Sequence, residues 1–308
     1  MRRSRRRART SPIGPLVRWL LALILCAGLG SGACLAQDSR GEAVLARFQE
    51  ASALAVDPTG RLYVADAGRD VVRVLGPDGA AQATLGGTGT RAGEFDDPLD
   101  LDPTNGQTLY VADAGNGRLQ YFSAERQYLG AIPVGAASGE GERAFDDGRD
   151  GADVQGSGRP VAVASSNSDE TFVVDGRERG VVHFSPQGRR ERLIGSSSRL
   201  DDPVDLALDD DRRLYVADRG RGDILVYDTF GTFLERLPTG ALPSLQAVSV
   251  HAGRLWIVCA DRVVVWALDA QQGRRHRVRL DAPLVGALPW GDRLFLLTEH
   301  RLLRRVSW

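Results

Sequence analysis

A five-residue phrase recurs along this chain: Leu62-Tyr63-Val64-Ala65-Asp66, Leu109-Tyr110-Val111-Ala112-Asp113 and Leu214-Tyr215-Val216-Ala217-Asp218. Weaker copies stand at Thr171-Phe172-Val173-Val174-Asp175, Leu255-Trp256-Ile257-Val258-Cys259-Ala260-Asp261 and Leu294-Phe295-Leu296-Leu297-Thr298-Glu299. The closing acids fall 47, 62, 43, 43 and 38 residues apart. Six units spread over the residues after position 36 average about 45 residues each, the length of a four-stranded propeller blade.

Within each unit the apolar runs are short and the punctuation is glycine and aspartate, which predicts antiparallel strands. In the fourth unit, Asp205–Leu208 forms the inner strand and Asp210-Asp211 a turn, followed by strands at Leu214–Ala217, Ile224–Tyr227 and Phe233–Leu237. No stretch after Gln37 carries a long helical period. The last unit supplies only three strands, Leu284–Leu288, Leu294–Thr298 and Leu302–Trp308, before the chain stops. Ala43–Phe48 is therefore expected to complete that sheet, joining the ends of the ring and removing an exposed edge. The expected fold is all-β: a six-bladed β-propeller of four-stranded antiparallel blades, the last closed by the N-terminal strand, in one domain over 37–308.

The first 36 residues read as an address. Arg2, Arg3, Arg5, Arg6, Arg7 and Arg9 precede an apolar run from Leu16 to Leu29 broken only by Arg18, and small residues follow. That order is the pattern of a secretory signal, and the uninterrupted stretch Trp19–Leu29 is short for a membrane span. Two processing points stay open: cleavage after Ala36, or a loose lipobox Ser31-Gly32-Ala33-Cys34 with lipid on Cys34. An exported protein, periplasmic or extracellular, is expected, touching a membrane only through that lipid or an uncleaved signal. Cys26 and Cys34 lie in this segment, which leaves Cys259 with no partner for an internal disulfide. Beyond residue 36 the chain holds 32 basic and 40 acidic residues, a net of −8, so nucleic acid is not an expected partner. There is no lysine, so every fixed cation is a guanidinium suited to bidentate pairing.

The units also carry a fuller pattern, clearest in the second: Pro98-Leu99-Asp100-Leu101-Asp102, then Tyr110-Val111-Ala112-Asp113, Gly115-Asn116-Gly117-Arg118 and Gln120-Tyr121-Phe122. With these motifs the chain from about Glu42 to Trp308 resembles the NHL-repeat family of β-propellers. The resemblance implies the fold and leaves activity open, since that family includes binding and sensor domains and related six-bladed propellers include lyases and lactonases.

In such a ring the entry into each inner strand and the turn between second and third strands share the upper face. The residues expected to begin the inner strands are Ala53, Asp100, Ala162, Asp205, Gln246 and Val285. Asp100, Asp205 and Gln246 make a candidate ligand site at the channel mouth, and the two acids would hold a divalent cation if the protein has one; no other cofactor is expected. Asp66, Asp113, Asp175, Asp218 and Asp261 recur too regularly for chemistry and are expected to accept backbone N–H groups in the following turns. Arg69, Arg177, Arg179, Arg219, Arg221, Arg262 and Arg301 form a candidate basic rim, whereas Arg118 belongs to the repeat pattern and is expected to be structural. A glycine-rich, acidic insertion at 135–158 overhangs this face and is expected to be flexible; its Asp146, Asp150 and Asp153 lack the later glutamate of an EF-hand loop.

His183, His251, His276 and His300 do not cluster; His251 is placed in a lower turn. With no nucleophile elbow and no phosphate loop, no catalytic residue is assigned. The expected function is therefore a noncatalytic, monomeric binding or scaffold module, taking a protein, peptide or anionic glycan of the cell envelope on its upper face. The alternative is a propeller lyase or lactone hydrolase with a divalent metal at the channel mouth.

Overall fold

A computed structural model describes residues 42–135, 155–195, 199–270 and 272–305. The segment 1–36, most of the insertion at 135–158 with Asp146, Asp150 and Asp153, and the end of the strand expected at Leu302–Trp308 lie outside the described residues.

The repeated phrases form second strands because they can be buried on both faces. Leu62–Asp66 and Thr171–Asp175 are buried at every residue, as a continuous short apolar run allows. Six four-stranded antiparallel sheets result. Blades 1 to 5 span Ala51–Gly86, Pro98–Pro133, Pro160–Ile194, Pro203–Arg236 and Leu245–Arg277. Blade 6 takes Leu284–Arg305 and, as expected, the N-terminal strand, whose bounds are Glu42–Arg47. That strand pairs antiparallel with Arg301–Arg305, and the buried Glu42 carboxylate is paired with Arg305.

The core is divided among the junctions between blades. Tyr63, Val72 and Val74 of blade 1 pack on Leu101, Val111 and Phe122 of blade 2, and equivalent clusters fill the other junctions, including the closing one, where Phe48, Leu62 and Val64 meet Leu288, Phe295 and Leu297. Truncating one such buried leucine costs about 2–5 kcal/mol, so each junction contributes on the scale of the whole fold's stability.

Two local features position the site. First, the register of every inner strand slips at its second residue, between Ala51 and Ala53, Pro98 and Asp100, Pro160 and Ala162, Pro203 and Asp205, Leu245 and Ala247, and Leu284 and Gly286. A bulge of this kind re-aims the side chains that follow it. Second, the upper turns differ. Blades 1 to 4 use four residues, as in Ala114–Gly117, where Asp113 pairs with Arg118; blades 5 and 6 use two, Ala260-Asp261 and Glu299-His300. The position of Asp113 and Asp218 is consequently taken by Cys259 and Thr298, and Asp261 is a half-exposed turn residue rather than the end of a strand.

Candidate functional site

A cavity of about 710 Å³ runs along the propeller axis, walled by the six inner strands. The bulges place Ala53, Asp100, Ala162, Asp205, Ala247 and Gly286 at equivalent positions. The sequence reading of this ring holds in blades 1 to 4 and is one residue early in blades 5 and 6, where it named Gln246 and Val285; both are bulge residues that also line the cavity. Four of the six equivalent positions carry alanine or glycine, which leaves the two acids room between them.

Each acid is tied to the next blade. Asp100 Oδ2 accepts the Val163 N–H at 2.8 Å, and Asp205 Oδ2 accepts the Val248 N–H at 2.7 Å while its Oδ1 accepts the Leu206 N–H at 2.8 Å. No guanidinium touches either carboxylate among the described residues. Burial pushes the Asp205 carboxyl up to about 7, against the pull of those N–H groups. Burial, reinforced by the charge of Asp205, likewise raises Asp100 well above the usual carboxylate range. Two acids in one low-dielectric enclosure favour a state that shares a proton.

The one-residue error in blade 5 hid two further residues. Starting from Ala247, the same strand face continues through Ser249 and His251, whereas starting from Gln246 it runs through Val248 and Val250. Ser249 and His251 line the cavity, and the Ser249 hydroxyl is buried with no hydrogen-bond partner among the described residues. His251 is the last residue of its inner strand rather than part of a turn, and burial lowers its pKa to about 4, which keeps the ring neutral near pH 7. The signal that would have revealed them is the alternation itself, counted from the correct side of the bulge.

The arginines gather elsewhere. Arg69 donates to Asp66 at 3.2 Å, Arg219 to Asp202 at 2.8 Å and Arg262 to Asp261 at 2.7 Å. Arg221 lies 3.6 Å from Asp218 and Arg179 lies 4.0 Å from Asp201. Arg177 donates to the Ser157 carbonyl and Arg301 to Asp281. None of these seven lines the cavity. Arg212 does, from a lower turn, where Glu170 accepts from it at 2.8 Å. Arg118 is structural as expected: it is buried against Asp113 at 2.7 Å and donates to the carbonyls of Thr90, Arg91 and Glu94.

A divalent cation at the channel acids finds a poor donor set. Each carboxylate has an oxygen committed to a neighbouring N–H, and among the described residues no group of three His, Cys, Asp or Glu side chains is arranged to hold a metal. Hard cations of this kind take six or more oxygens. The residues present do not fit a resident metal.

No protein-family model and no curated protein matches this chain. Solved structures do: a streptogramin B lyase at 11% identity, covering 83% of this chain and 93% of that one with a TM-score of 0.58. A gluconolactonase from Xanthomonas campestris aligns at 17% identity over 89% and 92% with a TM-score of 0.62. A protein of a nidogen/laminin complex aligns at 13% identity over 76% and 83% with a TM-score of 0.57. The class is therefore a six-bladed β-propeller, and identities this low establish the fold without an activity. They do correct the expectation of a noncatalytic module: with a lyase and a lactonase among the neighbours, the enzyme alternative is the better supported reading.

Proposed function

We propose that this propeller is an enzyme of the lyase or lactone-hydrolase kind whose chemistry takes place in the axial cavity between Asp100 and Asp205. The observation that carries this is the pairing itself: two carboxyl groups on alternate blades face one enclosed space, both with raised pKa values and neither with a cationic partner among the described residues. Asp113 and Asp218, at the ends of second strands, instead have both carboxylate oxygens met by donors.

In the hydrolytic reading the ionised member of the pair takes a proton from a water molecule as its oxygen attacks the lactone carbonyl. The protonated member gives its proton to the ring oxygen as the C–O bond breaks, so one water is consumed and a hydroxy acid is formed. His251 is neutral at that pH and contributes a hydrogen-bonding surface. The motif Pro98 to Phe122 supports treating the blades as NHL-type repeats, and the N-terminal segment supports export, which would put the substrate outside the cytoplasm.

The test is ring opening of a lactone panel by the purified protein, followed by proton release. Asp100→Asn and Asp205→Asn should each lower turnover by about 10²–10⁴-fold, and a chelator should leave it unchanged. A panel with no turnover, or variants that retain full activity, would refute the assignment.

A further inference from the structure

Resting on the reading of the axial cavity as a reaction site, we infer that its occupant is a neutral, amphipathic molecule with an aliphatic end at the upper mouth. The residues bulged out of the six inner strands are Ser52, Leu99, Val161, Val204, Gln246 and Val285, and all six line the cavity above the two acids. Four of them are aliphatic, and all are half-buried, so together they form a greasy collar still open to a ligand.

The opposite end of the same cavity has another chemistry. Thr104, Ser166, Asn167 and Arg212 line it from the turns at the foot of the inner strands, and His251 lines it from the end of its strand. An aliphatic group placed at the collar leaves water for a largely apolar wall, while a hydroxylated one would find polar partners only at Ser52 and Gln246. A polar group at the lower end meets hydroxyls, an amide and an imidazole, and the carboxylates of Asp209 and Asp210 repel an anion there as well.

Charge selects further. An organic anion would lie beside Asp100 and Asp205, and the one arginine among the lining residues, Arg212, already has its charge met by Glu170 at 2.8 Å. The rim arginines lie outside the lining, and Arg69, Arg219 and Arg262 among them face their own acids. The cavity thus favours an uncharged ligand over its ionised product, which also helps a hydroxy acid leave.

Four probes test this by titration calorimetry at pH 8 on the purified protein: δ-decalactone, its ring-opened hydroxy acid, glucono-δ-lactone, and an unreactive alkylated cyclohexanone of the same size as the first. The cyclohexanone and δ-decalactone should bind at least about tenfold more tightly than the other two. Replacing Val161→Thr and Val204→Thr together, which keeps side-chain shape and strand preference, should weaken the alkylated probes by about tenfold and leave glucono-δ-lactone unchanged. Equal or tighter binding of glucono-δ-lactone or the hydroxy acid overturns the inference, as does an unaffected double variant or the failure of every probe to bind. Tight binding of the cyclohexanone without turnover of any lactone supports the collar and refutes only the activity. Turnover of glucono-δ-lactone without affinity for the alkylated probes does the reverse.

Discussion

Asp113 and Asp205 are both aspartates enclosed by the same propeller, yet their surroundings differ in kind. Asp113 ends a second strand and accepts from the Asp96 N–H at 2.8 Å, from Arg118 at 2.7 Å and from the Asn116 and Gln120 amides. Asp218 and Asp66 do a similar job, catching the N–H groups of Asp201 and Asp202 and of Gln49 and Glu50, so that the segment entering each inner strand is pinned to its own blade. Burial raises the Asp113 carboxyl on balance, although its donors pull in the other direction. Asp205 meets backbone N–H groups alone and shares its cavity with Asp100. A buried carboxylate ringed by donors serves the fold; one left without a cation in an open cavity is available to a ligand.

The largest effect should come from breaking the saturated site. Asp113→Ala removes the carboxylate from the buried Arg118 guanidinium, leaving its charge uncompensated, and should cost about 3–5 kcal/mol in chemical denaturation. A cost near zero would erase the distinction between the two kinds of acid. Asp205→Asn should act oppositely: it should leave the fold intact, with a melting temperature at or above that of the parent at pH 8, while removing about 3 kcal/mol or more of transition-state stabilisation from lactone opening. Loss of the fold in this variant would make Asp205 a structural residue.

A third comparison separates them by pH. The Asp205 carboxyl, raised from 3.8 to about 7, holds more proton in the folded chain than in the unfolded one between those values. Stability contributed by its protonated form is present at low pH and is lost as pH rises through about 7. The melting temperature of Asp205→Asn minus that of the parent should therefore grow from acid to neutral pH and level off above it. A flat difference would mean that the carboxyl is not raised. The smallest effect belongs to Asp261, which sits in a two-residue turn paired with Arg262 at the surface: Asp261→Asn should change stability by no more than about 0.5 kcal/mol.

Much of this was legible before any coordinates. The recurrence of Tyr-Val-Ala-Asp fixed strand type and blade count, because a short apolar run that ends in a turn-forming acid can be buried only between neighbouring sheets. The short final unit pointed to Ala43–Phe48 as the strand completing blade 6, since a sheet edge in a ring must be paired, and the strand observed there is Glu42–Arg47. The candidate acids were visible as well, as the only charged residues at the heads of the expected inner strands. His251 and Ser249 were not, because one bulged residue at the start of blade 5 exchanges the two faces of that strand, and nothing in Leu245-Gln246-Ala247 distinguishes the residue that bulges.

The split between kinds of carboxylate was likewise beyond the sequence. Asp113 and Asp100 are each one aspartate in a repeat, and their difference lies in what the neighbouring blade and the loop at Thr90 to Glu94 bring to them. The same holds for Asp261, whose spacing looked periodic until a turn shorter by two residues put Cys259 in its place. Local pattern determined that these residues form strands, how many sheets they make and how the ring closes, because those depend on side-chain alternation and on satisfying edges. Which side chains meet across the axis, and whether a buried acid finds a cation there, was decided only when six blades closed on one another, because burial and charge pairing at the axis are properties of the assembled ring.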